Sequence, residues 1–301
     1  MPPDPLSPRR RILLILATLL ALFLAALDTL IMSAVMPTIV ADLGGLHLYS
    51  WVFSTYLLSR AVALPVFGKL ADLFPNRTLY LVSILIFLVG SVLAGMARNM
   101  MALTLFRAVQ GIGAGGNFAL VYIVLSDISE PEHRGRMMSY ASFVWGLASV
   151  LGPSLGGFIV TWVSWRWIFY INVPIGLVAY WAAARLLRGG SADVVRREPF
   201  DGVGALLLAI CLCTFLYLLS HLQTLSQTPV LAIGLAALAL ASGGCFFWFE
   251  RHTEHPILDL ALLKVRLFSL PVAAAAILFA GLFTIVFLTP FYLLHPAGYA
   301  V

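Results

Sequence analysis

LFRAVQGIGAGGNFAL, Leu105–Leu120, sets an arginine and a cluster of glycines in an otherwise apolar run. It leads through SDISEPEHRGRMM, Ser126–Met138, a basic turn, into WGLASVLGPSLGGFI, Trp145–Ile159, and then to the aromatic re-entry SWRWIFYINVPIG, Ser164–Gly176. Together these read as helices crossing a bilayer, with a polar function built between them.

Composition points the same way. The chain is 61% hydrophobic and 10% charged, against roughly 25% charged in a soluble domain. This excludes an ordinary soluble fold and makes the lipid bilayer the first partner. Cys211, Cys213 and Cys245 lie in apolar runs and read as small packing residues; no metal pair or disulfide is argued from them. The apolar run behind Arg9, Arg10 and Arg11 is too long for a signal-peptide core and contains Asp28, so it reads as a retained span.

Apolar runs fall near 12–36, 48–71, 78–98, 100–127, 134–161, 166–187, 201–221, 228–250 and 268–294. Each is long enough for a transmembrane helix. Pro37, Gly44-Gly45, Pro75-Asn76, Pro131, Gly189-Gly190 and Pro256 punctuate them. The expected organisation is a basic tail at 1–11, six helices over 12–187, a linker at 188–200, two helices over 201–250, a loop at 251–267 and one helix in 268–301. With the N-terminus in the cytoplasm, fourteen of the 18 Lys and Arg fall on the inner side. Only Arg98 and Arg166 fall outside, and Arg60 and Arg107 lie within spans. That bias predicts a multi-pass plasma-membrane protein with a cytoplasmic N-terminus.

Several motifs carry a resemblance. GKLADLFPNRT, Gly68–Thr78, resembles the cytoplasmic gating motif of the major facilitator superfamily at Gly68, Asp72 and Arg77, and departs from it at Leu73, Pro75 and Thr78. Arg107, Gln110, Gly111 and Gly113 match the superfamily's R-x-x-Q-G-x-G pattern. Gly152, Pro153, Gly156 and Gly157 match its antiporter motif, with Ser139 and Ala148 in place of earlier glycines. Asp28, in LDTLIMSAVMPTI, and WRWIFYINVPIG, Trp165–Gly176, resemble signatures of the fourteen-helix drug:proton antiporters. The resemblance implies an all-α polytopic membrane protein: a six-helix N-terminal bundle plus three further transmembrane helices. Measured against fourteen helices, the chain reads as truncated after nine spans. The implied activity is proton-coupled efflux of small apolar or cationic compounds. The partners are then a small-molecule substrate and protons.

The residues themselves supply the chemistry. Asp28 lies about 12 Å, and Arg107 roughly 10 Å, from the same outer face by helical rise. Burial disfavours a charged carboxylate and a neighbouring arginine favours it, so an arginine contact that comes and goes loads and releases a proton. A static ion pair clamping spans 1 and 4 is the alternative. Gly152 and Gly156 form a G-x-x-x-G packing face, and Pro153 should kink its helix; sealing the cavity against leak is the functional reading beside plain packing. Asp72 is expected to latch the cytoplasmic side with Arg77; Arg134 and Arg136 serve either that latch or topology.

Arg60, Gln110 and Asn117 are candidates for the substrate cavity. Arg60 lies about 18 Å from the outer end of its span and about 12 Å from Gly68. A lipid-facing arginine there costs roughly 2.5–3.5 kcal/mol, so an interior position is expected, with snorkelling as the alternative. Trp162, Trp165, Trp167, Phe169 and Tyr170 read as an interfacial belt. His252, Glu254, His255 and Asp259 show no metal spacing and read as a solvated turn. The glycines of span 4 follow no strand, so no nucleotide site, cofactor or nucleic-acid partner is expected, and no nucleophile–base set marks an enzyme. No motif fixes an oligomeric state. A narrow-specificity metabolite transporter and a non-transporting truncated fragment remain as alternative readings.

Overall fold

The structure, a computed structural model, describes residues 7–187, 201–220, 228–253, 256–258 and 260–294. The expected linker at 188–200 lies outside the described residues, as do positions 1–6, 221–227 and 295–301, and Glu254, His255 and Asp259. The described residues form α1 (Pro8–Leu43), α2 (Tyr49–Leu73), α3 (Asn76–Gly95), α4 (Met100–Asp127), α5 (Arg134–Trp162), α6 (Trp167–Tyr170), α7 (Asn172–Leu186), α8 (Gly202–Ser220), α9 (Pro229–His252) and α10 (Arg266–Leu294). No strand occurs among them. Seven helical runs are long and apolar enough to cross a membrane, α6 and α7 together making one. In α8 and α10 the apolar stretches Gly202–Leu218 and Arg266–Leu278 are shorter.

Local sequence sets several helix ends. Asn99 accepts a 2.8 Å hydrogen bond from the Ala102 amide and caps α4. Asp201 does the same for α8, accepting from the Gly204 amide at 2.7 Å. The first helix departs from expectation. Pro37 does not end it; the helix continues to Leu43, with Val35, Met36 and Ile39 buried in the bundle. It stops at Gly44 and Gly45, whose φ values of 67° and 71° lie in the left-handed region that glycine alone tolerates cheaply.

Close backbone approach organises the bundle. The α4 helix lies between α2 and α3, while α1 packs on α5 and α7. A Cβ on Gly111 would come within 2.5 Å of the Tyr56 carbonyl, and one on Gly115 within 2.5 Å of the Arg60 carbonyl. On the other side a Cβ at Gly113 would collide with the Phe87 backbone. Small residues thus let neighbouring backbones touch, the packing expected in lipid. The α8–α9 hairpin rests against α2, where Trp51 and Tyr217 stack at 5.4 Å. The described side chains of α10 are mostly exposed.

Buried apolar side chains form two clusters. One contains Leu22, Leu24, Tyr80, Phe87 and Leu120. The other contains Ile31, Met36, Val52, Leu103 and Phe169. On α1, α3 and α4 the change of cluster falls at buried polar residues, Asp28, Ser91 and Arg107 with Gln110, and buried Asn172 stands beside them at the start of α7. A polar layer therefore lies between two apolar seals.

Candidate functional site

Asp28 sits at the centre of that layer and is 1% exposed. Arg107 Nη1 donates to its Oδ2 at 2.6 Å. Gln110 Nε2 and Asn172 Nδ2 donate to Oδ1 at 2.9 and 3.2 Å. The same Arg107 nitrogen also donates to Gln110 Oε1 at 2.8 Å. Asn172 and Gln110 both reach Ser91 Oγ, at 2.9 and 3.3 Å, and Ser91 donates to the Phe169 carbonyl at 2.9 Å. Tyr56 closes the site from α2: the Arg107 guanidinium carbon lies 3.9 Å from its ring centre, and its hydroxyl is 3.2 Å from Thr29 Oγ1.

A buried ion pair is stable only when its remaining polar atoms are satisfied, because desolvation is otherwise uncompensated. Here both carboxylate oxygens are occupied and a ring faces the cation. Arg107 Nε is buried without a hydrogen-bond partner among the described residues. The Asp28 carboxylate supplies the charge that holds Arg107, and Gln110 Oε1 and the Tyr56 ring are the cation's other contacts. A substrate cation at Asp28 would have to displace Arg107 first.

The other sequence candidates disperse. Gln110 belongs to the ion-pair network. Asn117 is buried, donates to the Ala21 carbonyl at 3.0 Å and leaves Oδ1 unpaired. Neither lines an open cavity in this conformation. Arg60 is half-buried and lies over the rings of Phe118 and Trp145.

Gly152 and Gly156 face α1, where added Cβ atoms would meet Leu30 at 3.0 Å and Ile31 at 2.8 Å. Pro153 and Gly157 are exposed on another face. At the end of the bundle that carries the N-terminus, the structure does not pair Asp72 with Arg77. Asp72 and Arg134 are exposed, and Gly68 has open space about it. Arg77 Nη2 instead donates to the Ala184 carbonyl at 2.7 Å, and Arg10 Nη2 to Leu186 at 2.8 Å. Two arginines thus complete the C-terminus of α7, whose last carbonyls have no helical partner. Glu130 pairs with Arg11 at 3.2 Å.

The aromatic belt needs correction. Trp162 and Trp167 are 74% and 54% exposed, as a belt requires, but Trp165 and Phe169 are buried at 3% and 0%. Trp165 Nε1 and Arg166 Nη1 both donate to Asp42, at 2.8 and 3.0 Å, and Arg166 Nη2 reaches the Ala97 carbonyl at 3.3 Å. This segment ties α1 to the α3–α4 turn and delivers Asn172 to the ion pair. Of the metal candidates only His252 is described, and its Nδ1 lies 2.7 Å from the Trp248 carbonyl.

Helices long and apolar enough to cross a membrane thus pack around a buried ion pair. The chain belongs to the Major Facilitator Superfamily, whose pattern matches residues 18–300. It is 36% identical over 285 residues to the multidrug transporter protein MdtP of Bacillus subtilis, covering 94% of this chain and 52% of that protein. It is 35% identical over 272 residues to multidrug resistance protein 3 of the same species, covering 90% and 52%. The efflux pump FUS6 of Gibberella moniliformis is 39% identical over 249 residues, covering 78% and 44%. The chain therefore spans about half the length of the curated relatives it matches. Among solved structures, the proton:xylose symporter XylE shares the fold, with a TM-score of 0.52 at 14% identity over 71% of this chain and 54% of that one.

Proposed function

We propose that this chain is the proton-coupling half of a secondary transporter that exports small apolar or cationic compounds in exchange for inward-moving protons. The single observation that carries the reading is the carboxylate of Asp28, held by Arg107, Gln110 and Asn172 between two apolar clusters. Water and protons reach it only when one cluster opens. Protonation then loosens α1 from α4, and the loss of the proton on the other side restores the pair. The names of the multidrug relatives support export, and the motifs support placement in the fourteen-helix group. The bias of basic residues supports a plasma-membrane topology with a cytoplasmic N-terminus. In that topology Arg10 and Arg77 hold α7 at the cytoplasmic side, and Asp72 stands free to engage whatever closes over it. Helices α8 and α9 then correspond to an inserted pair, and α10 to the first helix of a second bundle.

The test is D28N in membrane vesicles energised by a pH gradient. The asparagine keeps the shape and the hydrogen-bonding oxygen but cannot cycle a proton. Gradient-driven efflux should fall to background while the protein remains in the membrane. Undiminished efflux would remove Asp28 from the coupling.

A further inference from the structure

Three charged side chains lie deep within the first four helices, and two of them neutralise each other. Asp28 and Arg107 form a closed pair. Arg60 is the charge left over. Its guanidinium carbon lies 4.6 Å from the centre of the Phe118 ring and 5.4 Å from that of Trp145. Phe118 stacks in turn against Tyr122 at 4.9 Å and meets Trp145 nearly edge-on at 6.3 Å. All four side chains are half-buried, so the corner formed by α2, α4 and α5 is open on one side. Leu57 and Leu147 are exposed nearby along the same helices and supply apolar surface.

The rings attract the cation through their electron-rich faces. They do not satisfy its N–H groups, of which a guanidinium carries five. Among the described residues the Arg60 side chain makes no hydrogen bond and no ion pair. An uncompensated guanidinium at this depth, with aromatic walls and open donors, has the chemistry of an oxyanion site. A carboxylate takes two of those donors in parallel, and an apolar body attached to it lies against the rings and leucines.

We propose that Arg60, framed by Phe118, Tyr122 and Trp145, is a subsite for the carboxylate of small apolar organic acids. The inference rests on the transport reading only in taking this corner as part of the substrate path. It changes the class of compound expected there: an aromatic acid is favoured, and a lipophilic cation is repelled by the net positive charge left when Asp28 and Arg107 cancel.

The experiment is equilibrium binding of radiolabelled naphthoate to the 301-residue chain in phosphatidylcholine nanodiscs, with empty nanodiscs subtracted. Naphthylmethylamine and naphthalenemethanol serve as the cationic and neutral counterparts. Naphthoate should bind saturably and in preference to both. R60Q should weaken it by about tenfold or more, the scale of a lost charge-assisted pair. R60K keeps the charge without the fork and should fall between the two. V89A, at an exposed position of α3 outside the corner, should bind like the parent and shows that the protein tolerates substitution. Unchanged binding in R60Q, absence of saturable binding by the parent, or preference for the amine would overturn the proposal. Loss of naphthoate binding in nanodiscs containing phosphatidylglycerol would overturn it in favour of a lipid phosphate. No pH gradient is present, so failure here leaves the role of Asp28 untouched, and failure of D28N to lose efflux leaves the naphthoate result standing.

Discussion

Asp28 accepts from side chains on two other helices, so its neighbours bear unequal costs when one is removed. Truncating one partner of a buried pair leaves a charge without compensation and costs about 3–5 kcal/mol. Replacing both partners by neutral groups removes the penalty along with the attraction. R107Q is therefore expected to lower the melting temperature of the purified protein more than the double variant D28N/R107Q does. Thermal unfolding in detergent measures this; a double variant less stable than R107Q would mean that the pair's attraction outweighs its desolvation. The pairing of Asp28 with Arg107 was legible because depth along a helix follows from counting residues at about 1.5 Å each. What counting does not give is azimuth. Gln110 and Asn117 are expected from sequence on the substrate cavity, whereas both are buried in the core. Their spacing from Arg107, at i+3 and i+10, was the available signal that they share its face. Ser91 and Asn172 were missed because a neutral polar residue in an apolar run usually satisfies itself along its own helix. Here both reach across helices to the same carboxylate network.

At the scale of the helix, the glycines separate packing from other roles. A Cβ at Gly113 would strike the Phe87 backbone, and one at Gly90 would come within 2.5 Å of the Gln110 amide nitrogen. Neither obstacle is a flexible side chain, so α3 and α4 would have to move apart. Overpacking of this kind typically costs 1–3 kcal/mol, occasionally more, about what a marginal bundle can lose. Gly157 has nothing within 4 Å of where its Cβ would stand. G113A should therefore reduce the yield of monodisperse protein and its melting temperature, while G157A should leave both within about 0.5 kcal/mol of the parent. Size-exclusion profiles and melting curves make the comparison. A stable G113A would show that the α3–α4 contact is looser than the backbone positions imply. Existence and order of the helices were legible because lipid admits few alternatives to a helix for a long apolar run. Their ends were less so. Pro37 looked like a stop, but burial of Ile39 outweighs one missing backbone donor, and the two glycines with positive φ end the helix instead. The Trp165 segment looked interfacial because aromatic residues are common there. Its indole nitrogen had a partner, Asp42, too distant in sequence to be read from spacing.

For the whole molecule, the arrangement of exposed and buried surface bears on what these 301 residues do on their own. The ion pair, its seals and the arginine caps on α7 are complete within α1–α7. By contrast, Pro153 and Gly157 on α5, the Arg60 corner and most of α10 present surface with no packing partner among the described residues. Transporters of this architecture alternate access by rocking one bundle against another around a site at the bilayer midplane. On the proposed reading Asp28 supplies the proton site, and exposing a substrate to one side at a time needs a second wall opposite it. The chain spans 52% of two relatives named for multidrug transport or resistance, which fits one wall of such a pair. Reconstituted alone in liposomes, the 301-residue chain is therefore expected to insert stably, resist alkaline extraction and show no substrate-dependent proton flux. Flux that grows with the square of protein density, with a dimer trapped by cross-linking, would mean that a second copy supplies the missing wall. Flux linear in protein density would mean that one bundle suffices, and the rocking argument would fail for this protein.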